Sequence, residues 1–202
     1  MKPILFSTPM VQAILAGRKT QTRRVVKPQP PEKFSNFGSA IAFITDKTLN
    51  HTVHCPYGNV GDVLWVRESF SRLLTGELIY KANAESKYDK PALGWKPSIH
   101  MPFTACRLFL KIKSIRVERL QAITMADATA EGIEPVNMSF SQIIQSGQLY
   151  RDYSSKDKNF LHDALGPQIS FETLWKEING NESWDANPWV WVIEFERIEK
   201  PQ

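Results

Sequence analysis

The chain has 202 residues, of which 42% are hydrophobic and 23% are charged, with a formal net charge of +4. These proportions are typical of a globular domain, and no apolar run approaches the roughly 20 residues of a membrane-spanning helix. The first residues are too short an apolar stretch for a signal peptide, so we expect a cytoplasmic protein with no membrane partner. Cys55 and Cys106 form no CxxC pair, which favours free thiols over a disulfide or a zinc site.

The positive charge is concentrated at the start of the chain. Residues 1–31 carry six Lys or Arg and no acidic residue, so the remaining 171 carry 19 basic and 21 acidic side chains, a balance of −2. A local positive surface on an otherwise balanced protein indicates a site for a phosphate-bearing or nucleotide-like partner.

Residues 8–24 combine a short helix, a glycine stop and a basic strand, and we expect the chemistry of the protein here. Thr8 is predicted to cap the helix and Pro9 to occupy its first position. Proline suits this position because a backbone N–H there would have no partner within the helix. Gly17 is predicted to end the helix in a left-handed conformation. One side of the helix is apolar at helical spacing, with Met10, Val11, Ile14 and Leu15.

Residues 18–24 include four cations, two hydroxyls and no carboxylate. Strand alternation puts Lys19, Gln21 and Arg23 on one face, and neither face is apolar enough to be ordinary core. One interpretation is a solvated edge strand, on which Lys and Arg block pairing with other chains. The other is a strand that faces an anion, with guanidinium groups for phosphate or carboxylate and a lysine near hydroxyls.

Further along the chain, the patterns predict both strands and helices. Strands are expected at 63–66, as a run buried on both faces, and at 77–82, 106–113 and 189–197, with a bulge or turn near Ser114. Helices are expected at 124–132, with Thr124 and Asp127 in a capping box, and from a cap at Ser170 to a stop at Gly180. The apolar face of the last strand is most simply core, and a stacking platform for bases is the alternative.

Two carboxylates occupy unusual positions. Glu68 follows a buried strand, where it is either a salt-bridge partner or part of a pocket mouth. Glu131 lies in the last turn of its predicted helix, where the helix dipole disfavours it by a few tenths to about 1 kcal/mol unless a cation compensates. The alternative for Glu131 is a frayed surface residue.

The segment 95–102, WKPSIHMP, contains two prolines that predict an extended, stiff loop. We hypothesise that it forms one wall of a cleft, with Ser98 and His100 facing the same ligand as Lys19 and Glu68. The alternative is an irregular surface connection whose Trp95 covers the end of the fold.

Several blocks of the sequence, in this order, resemble one known family: ILAGRKTQTRR, GDVLWVRESF, DATAEGI and WVWVIEFER. They are similar to the ASCH domain family, whose fold is like that of PUA domains, and CPYG and WKPSIHMP resemble its longer phage or prophage members. The resemblance implies an α+β fold, a small mixed PUA-like β-barrel with surrounding helices. It further implies a single domain over residues 1–202, with insertions at about 83–103 and 136–168.

The resemblance also implies involvement with RNA or nucleosides. Small bacterial members are amidohydrolases of N4-acetylcytidine, and their lysine, threonine and glutamate correspond to Lys19, Thr22 and Glu131. In that mechanism the lysine, with its pKa lowered by burial and by Arg24, activates the threonine, and the glutamate orients the lysine. Arg24 or a backbone N–H would hold the oxyanion. No cofactor and no metal is expected.

Two alternatives to this hydrolase remain open: a non-catalytic module that binds RNA or a modified base, and a ribonuclease. In the binding module, phosphates would contact arginines and bases would stack on aromatic side chains. The oligomeric state is left open by the sequence. The residues proposed for substrate binding are Arg18, Arg23, Arg24, Glu68, Tyr80, Trp95, Ser98 and His100.

Overall fold

The computed structural model describes residues 1–30, 34–36, 41–46, 49–84, 91–155 and 166–201. Residues 85–90 and 156–165, inside the two predicted insertions, lie outside this part of the chain. The prediction of one domain with two insertions therefore stays a prediction.

Ten strands and five α-helices occur in the described residues. The strands are β1 Lys2–Leu5, β2 Gln21–Val25, β3 Phe34–Asn36, β4 Ile41–Asp46, β5 Leu49–His54, β6 Val63–Arg67, β7 Phe70–Arg72, β8 Leu78–Tyr80, β9 Phe109–Arg119 and β10 Trp189–Ile198. The helices are α1 Thr8–Leu15, α2 Met125–Ala130, α3 Phe140–Ser146, α4 Pro167–Asn179 and α5 Glu182–Asp185.

A five-stranded sheet in the order β1-β6-β9-β10-β2 organises the molecule. β1 runs parallel to β6, and the remaining pairs are antiparallel. The β9–β10 register shifts between Glu194 and Phe195, opposite Ser114 and Ile112, so the bulge predicted near Ser114 is confirmed. A three-stranded sheet, β3-β4-β5, and the hairpin β7-β8 form two further sheets.

Hydrophobic side chains are buried on both faces of this sheet. Along β10, Trp191 and Ile193 belong to a core cluster that includes residues of α1, whereas Val190 and Val192 belong to a second cluster with residues of α4. Alternate side chains of a strand point to opposite faces, so α1 and α4 cover opposite sides of β10. The apolar face predicted for the last strand is confirmed as core, because Trp191, Ile193 and Phe195 are all buried there.

The fold class is α+β, as expected, but backbone pairing does not close the large sheet into a barrel in the described residues. Its two edges, β1 and β2, are instead connected through a side chain. The Arg24 guanidinium of β2 donates a hydrogen bond from Nη2 to the carbonyl oxygen of Leu5 in β1, at 2.8 Å. In the described residues, no helix has the length and apolar character needed to cross a membrane.

Several local predictions need correction. α1 is capped at Ser7 rather than Thr8, and the Ser7 side chain makes no capping hydrogen bond. α4 begins after Gly166 rather than Ser170. β6 is buried on one face only, because Leu64 and Val66 are buried while its other residues are half-exposed. The capping box of α2 is confirmed, and Gly17 adopts the predicted left-handed backbone with φ of 72°.

Candidate functional site

The turn after α1 delivers Lys19 to the end of α2. The backbone N–H groups of Arg18 and Lys19 both donate to the carbonyl oxygen of Ala13, at 2.9 and 3.1 Å, which turns the chain sharply. The N–H of Thr20 then donates to the carbonyl oxygen of Ala130 at 2.9 Å, and Lys19 forms an isolated antiparallel bridge with Glu131. Backbone hydrogen bonds alone thus join two segments that are far apart in sequence.

Lys19 and Glu131 form a buried ion pair. The Lys19 Nζ lies 2.9 Å from Glu131 Oε2 and 2.7 Å from the Glu131 backbone oxygen, and the two residues are only 2% and 5% exposed. Burial lowers the pKa of Lys19; Glu131 opposes this shift, and the positive charges of Arg24 and Arg23 add to it. Glu131 is therefore not a frayed surface residue, and the helix end that disfavours its charge is compensated by cations.

Arg23 supplies the second of these cations. Its side chain is completely buried, with Nη1 3.2 Å from Glu131 Oε1 and Nη2 3.4 Å from Asp127 Oδ2. Nη2 also contacts Glu118 on β9. Lys19, Gln21 and Thr22 are buried as well, so the interpretation of a solvated strand is wrong even though β2 does lie at the sheet edge.

Arg116 extends this network on β9. Its guanidinium lies 2.7 Å from Asp127 Oδ1 and 3.2 Å from Glu118 Oε2, and it also contacts Glu194. The sheet register explains the grouping, because Val192 of β10 pairs with Arg23 on one side and with Arg116 on the other. Sequence reasoning missed Arg116 and Glu118, although their spacing of two residues opposite the buried Ile115 and Val117 signals a charged strand face.

A small pit opens beside the ion pair, between β2 and α4. Its volume is about 80 Å³, and its walls include Thr22, Arg23, Glu131, Phe171 and Trp175. This volume has room for several water molecules, since one needs about 10–15 Å³. The Thr22 hydroxyl makes no hydrogen bond to any residue in the described part of the chain. The pit thus brings the Glu131 carboxylate and the Thr22 hydroxyl together.

The close approach of Lys19 to the end of α2 depends on Gly132. This residue has φ of 83°, and a Cβ built on it would lie 2.6 Å from Lys19 Cβ and 3.0 Å from Ala13 Cβ. We expect Gly132→Ala to lower the free energy of unfolding by about 2–4 kcal/mol, from left-handed strain together with overpacking. Gly17→Ala is the matched control, because Gly17 has φ of 72° and no heavy atom within 4 Å of the added Cβ.

Urea unfolding of both variants separates the backbone strain from the overpacking. Gly17→Ala should show only the strain, about 1–2 kcal/mol. Equal losses in the two variants would mean that the Lys19 contact at Gly132 relaxes freely and does not fix the lysine.

The two remaining arginines of the basic segment differ in their contacts. Arg18 donates to the carbonyl oxygens of Gly132 and Ile133, at 3.2 Å each, and so holds the end of α2. Arg24 lies with its guanidinium carbon 5.3 Å from the Phe6 ring centroid, and its buried Nε has no hydrogen-bond partner among the described residues. Arg23 and Arg24 both line the pit. Arg23 is paired with carboxylates, whereas Arg24 forms no ion pair with any described residue.

Glu68 belongs to a different cluster. Both of its oxygens accept hydrogen bonds from Arg107, at 2.8 and 2.9 Å, and it is 1% exposed. Arg107 also donates to Asn83 at 2.6 Å and lies 3.9 Å from the centroid of the Tyr80 ring. The salt-bridge interpretation of Glu68 is therefore confirmed. Tyr80 and Trp95 both line a cavity of about 170 Å³ in this region.

The loop 95–102 is anchored to the same side of the molecule. Ser98–His100 forms a 3-10 turn rather than the predicted extended path, and the turn begins directly after Pro97, which has φ of −57° and ψ of 149°. The Glu68 N–H donates to Met101 Sδ at 3.2 Å, and Arg67 donates to the Ile99 carbonyl oxygen. In the described residues, no hydrogen bond or ion pair joins Ser98 or His100 to Lys19, Thr22 or Glu131.

Two further findings bear on function. No group of three or more His, Cys, Asp or Glu side chains in the described ranges is placed to hold a metal ion. In comparisons with known proteins, no family model, no curated protein and no solved structure matches the chain.

Proposed function

We propose that the protein is an amidohydrolase that removes an acyl group from an acylated nucleoside such as N4-acetylcytidine. The observation that carries the proposal is the buried Lys19–Glu131 ion pair, at 2.9 Å, whose glutamate lines the same pit as Thr22. These are the three residues to which the resemblance to ASCH domains assigns the reaction. The proposal also includes the fold: we interpret the five-stranded sheet as a PUA-like barrel whose edge strands β1 and β2 are joined by Arg24.

Burial supports a catalytic role for Lys19. Burial lowers the pKa of Lys19, so its ammonium gives up a proton more readily than that of an exposed lysine, and only the neutral amine accepts a proton. Charged residues are rarely buried in a fold without a partner or a task. Glu131 bonds to the ammonium form and holds the side chain in place through both carboxylate and backbone oxygens.

The proposed reaction has two steps. Thr22 Oγ attacks the acyl carbonyl carbon as its proton passes to Lys19, directly or through a water in the pit, and the carbon–nitrogen bond breaks. As that bond breaks, the proton moves from Lys19 to the departing amine, which leaves as part of the free nucleoside. Water then attacks the threonine ester, releases the carboxylic acid and restores the hydroxyl. The Arg24 N–H groups stabilise the oxyanion in both steps.

Turnover of N4-acetylcytidine tests this proposal. We expect cytidine and acetate to appear in equal amounts with the wild-type protein, and a loss of at least about 100-fold in Thr22→Val, which removes the hydroxyl but keeps the shape. Thr20→Val is the control, because Thr20 is the exposed threonine two residues away on the same segment. Absence of turnover in the wild type, or equal rates in all three proteins, would contradict an amidohydrolase.

A further inference from the structure

A basic groove lies next to the pit. It has a volume of about 470 Å³ and is lined by Arg24, Lys27, His54, Tyr57 and Asn179, among others. No carboxylate lines it in the described residues. Lys2 adds positive charge at its border, since the Lys2 Nζ donates to the carbonyl oxygen of Pro56, a groove residue, at 3.0 Å. The groove therefore attracts anions rather than cations or neutral groups.

The groove cations are available to a ligand. Lys27 and His54 are exposed, and neither forms an ion pair with any residue that the structure describes. Arg24 is held by Leu5 through Nη2, while its Nε has no partner in the described chain. Arg24 as a whole is only partly buried, so part of its side chain is accessible from the groove that it lines.

The pit and the groove are neighbours that share part of their lining. Arg24, Val25 and Asn179 line both of them. The pit measures about 80 Å³, whereas pockets that enclose drug-sized ligands measure about 300–1,000 Å³. Only a small group, such as an acyl amide, fits inside, so the remainder of a nucleoside must lie outside, across the shared wall.

We propose that the groove binds a phosphate group of the substrate through Arg24, Lys27 and His54. This deepens the proposed function and rests on it: an acylated nucleoside that carries a phosphate is then a better substrate than the free nucleoside. The phosphate belongs either to a mononucleotide or to an RNA strand, and both present the same anion to the same cations.

Binding measurements test the groove separately from catalysis. Cytidine, cytidine 5′-monophosphate and a cytidine pentanucleotide are titrated calorimetrically into the wild type, the double variant Lys27→Gln/His54→Gln and the control Lys111→Gln. Lys111 is an exposed lysine of β9 that does not line the groove. We expect the phosphate to tighten wild-type binding by about 10- to 100-fold over cytidine, the factor for one charge-assisted contact.

The double variant should lose this gain and still bind cytidine as the wild type does, whereas Lys111→Gln should keep the gain. Tighter binding of the pentanucleotide than of the monophosphate would assign the site to RNA, and equal binding would assign it to a nucleotide. Equal affinity of the wild type for cytidine and its monophosphate, no binding of either, or an unchanged gain in the double variant would overturn the proposal. A phosphate-dependent gain without any hydrolysis would leave the groove standing and contradict the amidohydrolase alone.

Discussion

Replacing Glu131 with alanine is expected to lower the free energy of unfolding by about 3–5 kcal/mol, the effect of breaking a buried ion pair from one side. Glu131 is 5% exposed, and its two carboxylate oxygens contact Lys19 and Arg23, at 2.9 and 3.2 Å. Its removal leaves the Lys19 ammonium buried with no carboxylate in the described residues. Urea unfolding at neutral pH measures this change: the urea concentration at the midpoint should fall while the dependence of the unfolding free energy on urea concentration stays the same.

Glu196→Ala is the matched control for this prediction. Glu196 also pairs with a lysine, Lys113, at 3.3 Å, but the two side chains are 46% and 57% exposed. Surface pairs of this kind contribute about 0–1 kcal/mol, because water screens both charges. If Glu131→Ala lost no more stability than Glu196→Ala, the buried pair would not hold β2 against the end of α2.

The local parts of this architecture were predictable from sequence because short-range physics decides them. Gly17, the α2 capping box and the bulge opposite Ser114 each depend on neighbouring residues, and all three are present. The buried face of β10 followed from alternation alone. The Lys19–Glu131 pair could not be predicted from local patterns, because its two residues are 112 positions apart. Only the family resemblance connected them.

The contacts of the site residues are decided where distant elements meet. The solvated-strand interpretation of residues 18–24 is wrong because nothing local reveals that α2 and α4 pack over β2 and bury Arg23. Alternation showed which residues share a face, but the neighbours of each strand decide which charges meet. For example, Val192 pairs with both Arg23 and Arg116 because β10 lies between β2 and β9.

Removing the base from the proposed reaction should have the largest effect on turnover. We expect Lys19→Met to reduce the rate of N4-acetylcytidine hydrolysis by about 10²- to 10⁴-fold, the usual contribution of a positioned general base. Lys19→Arg distinguishes a base from a positive charge, because a guanidinium stays protonated and cannot accept the threonine proton. Comparable activity in Lys19→Arg and the wild type would show that Lys19 acts through its charge alone.

The pH dependence of the wild-type rate supplies a second test of the same base. Burial lowers the pKa of Lys19 from 10.5, so the rate should rise with pH along a limb whose midpoint lies below that value. Arg24 contributes to the lowering, so Arg24→Gln should move the midpoint to higher pH. The folded state binds fewer protons than the unfolded state between the lowered pKa and 10.5. The Lys19 contribution to stability should therefore also rise with pH across this window. A rate that does not change with pH, or a midpoint that Arg24→Gln leaves in place, would show that another group accepts the proton.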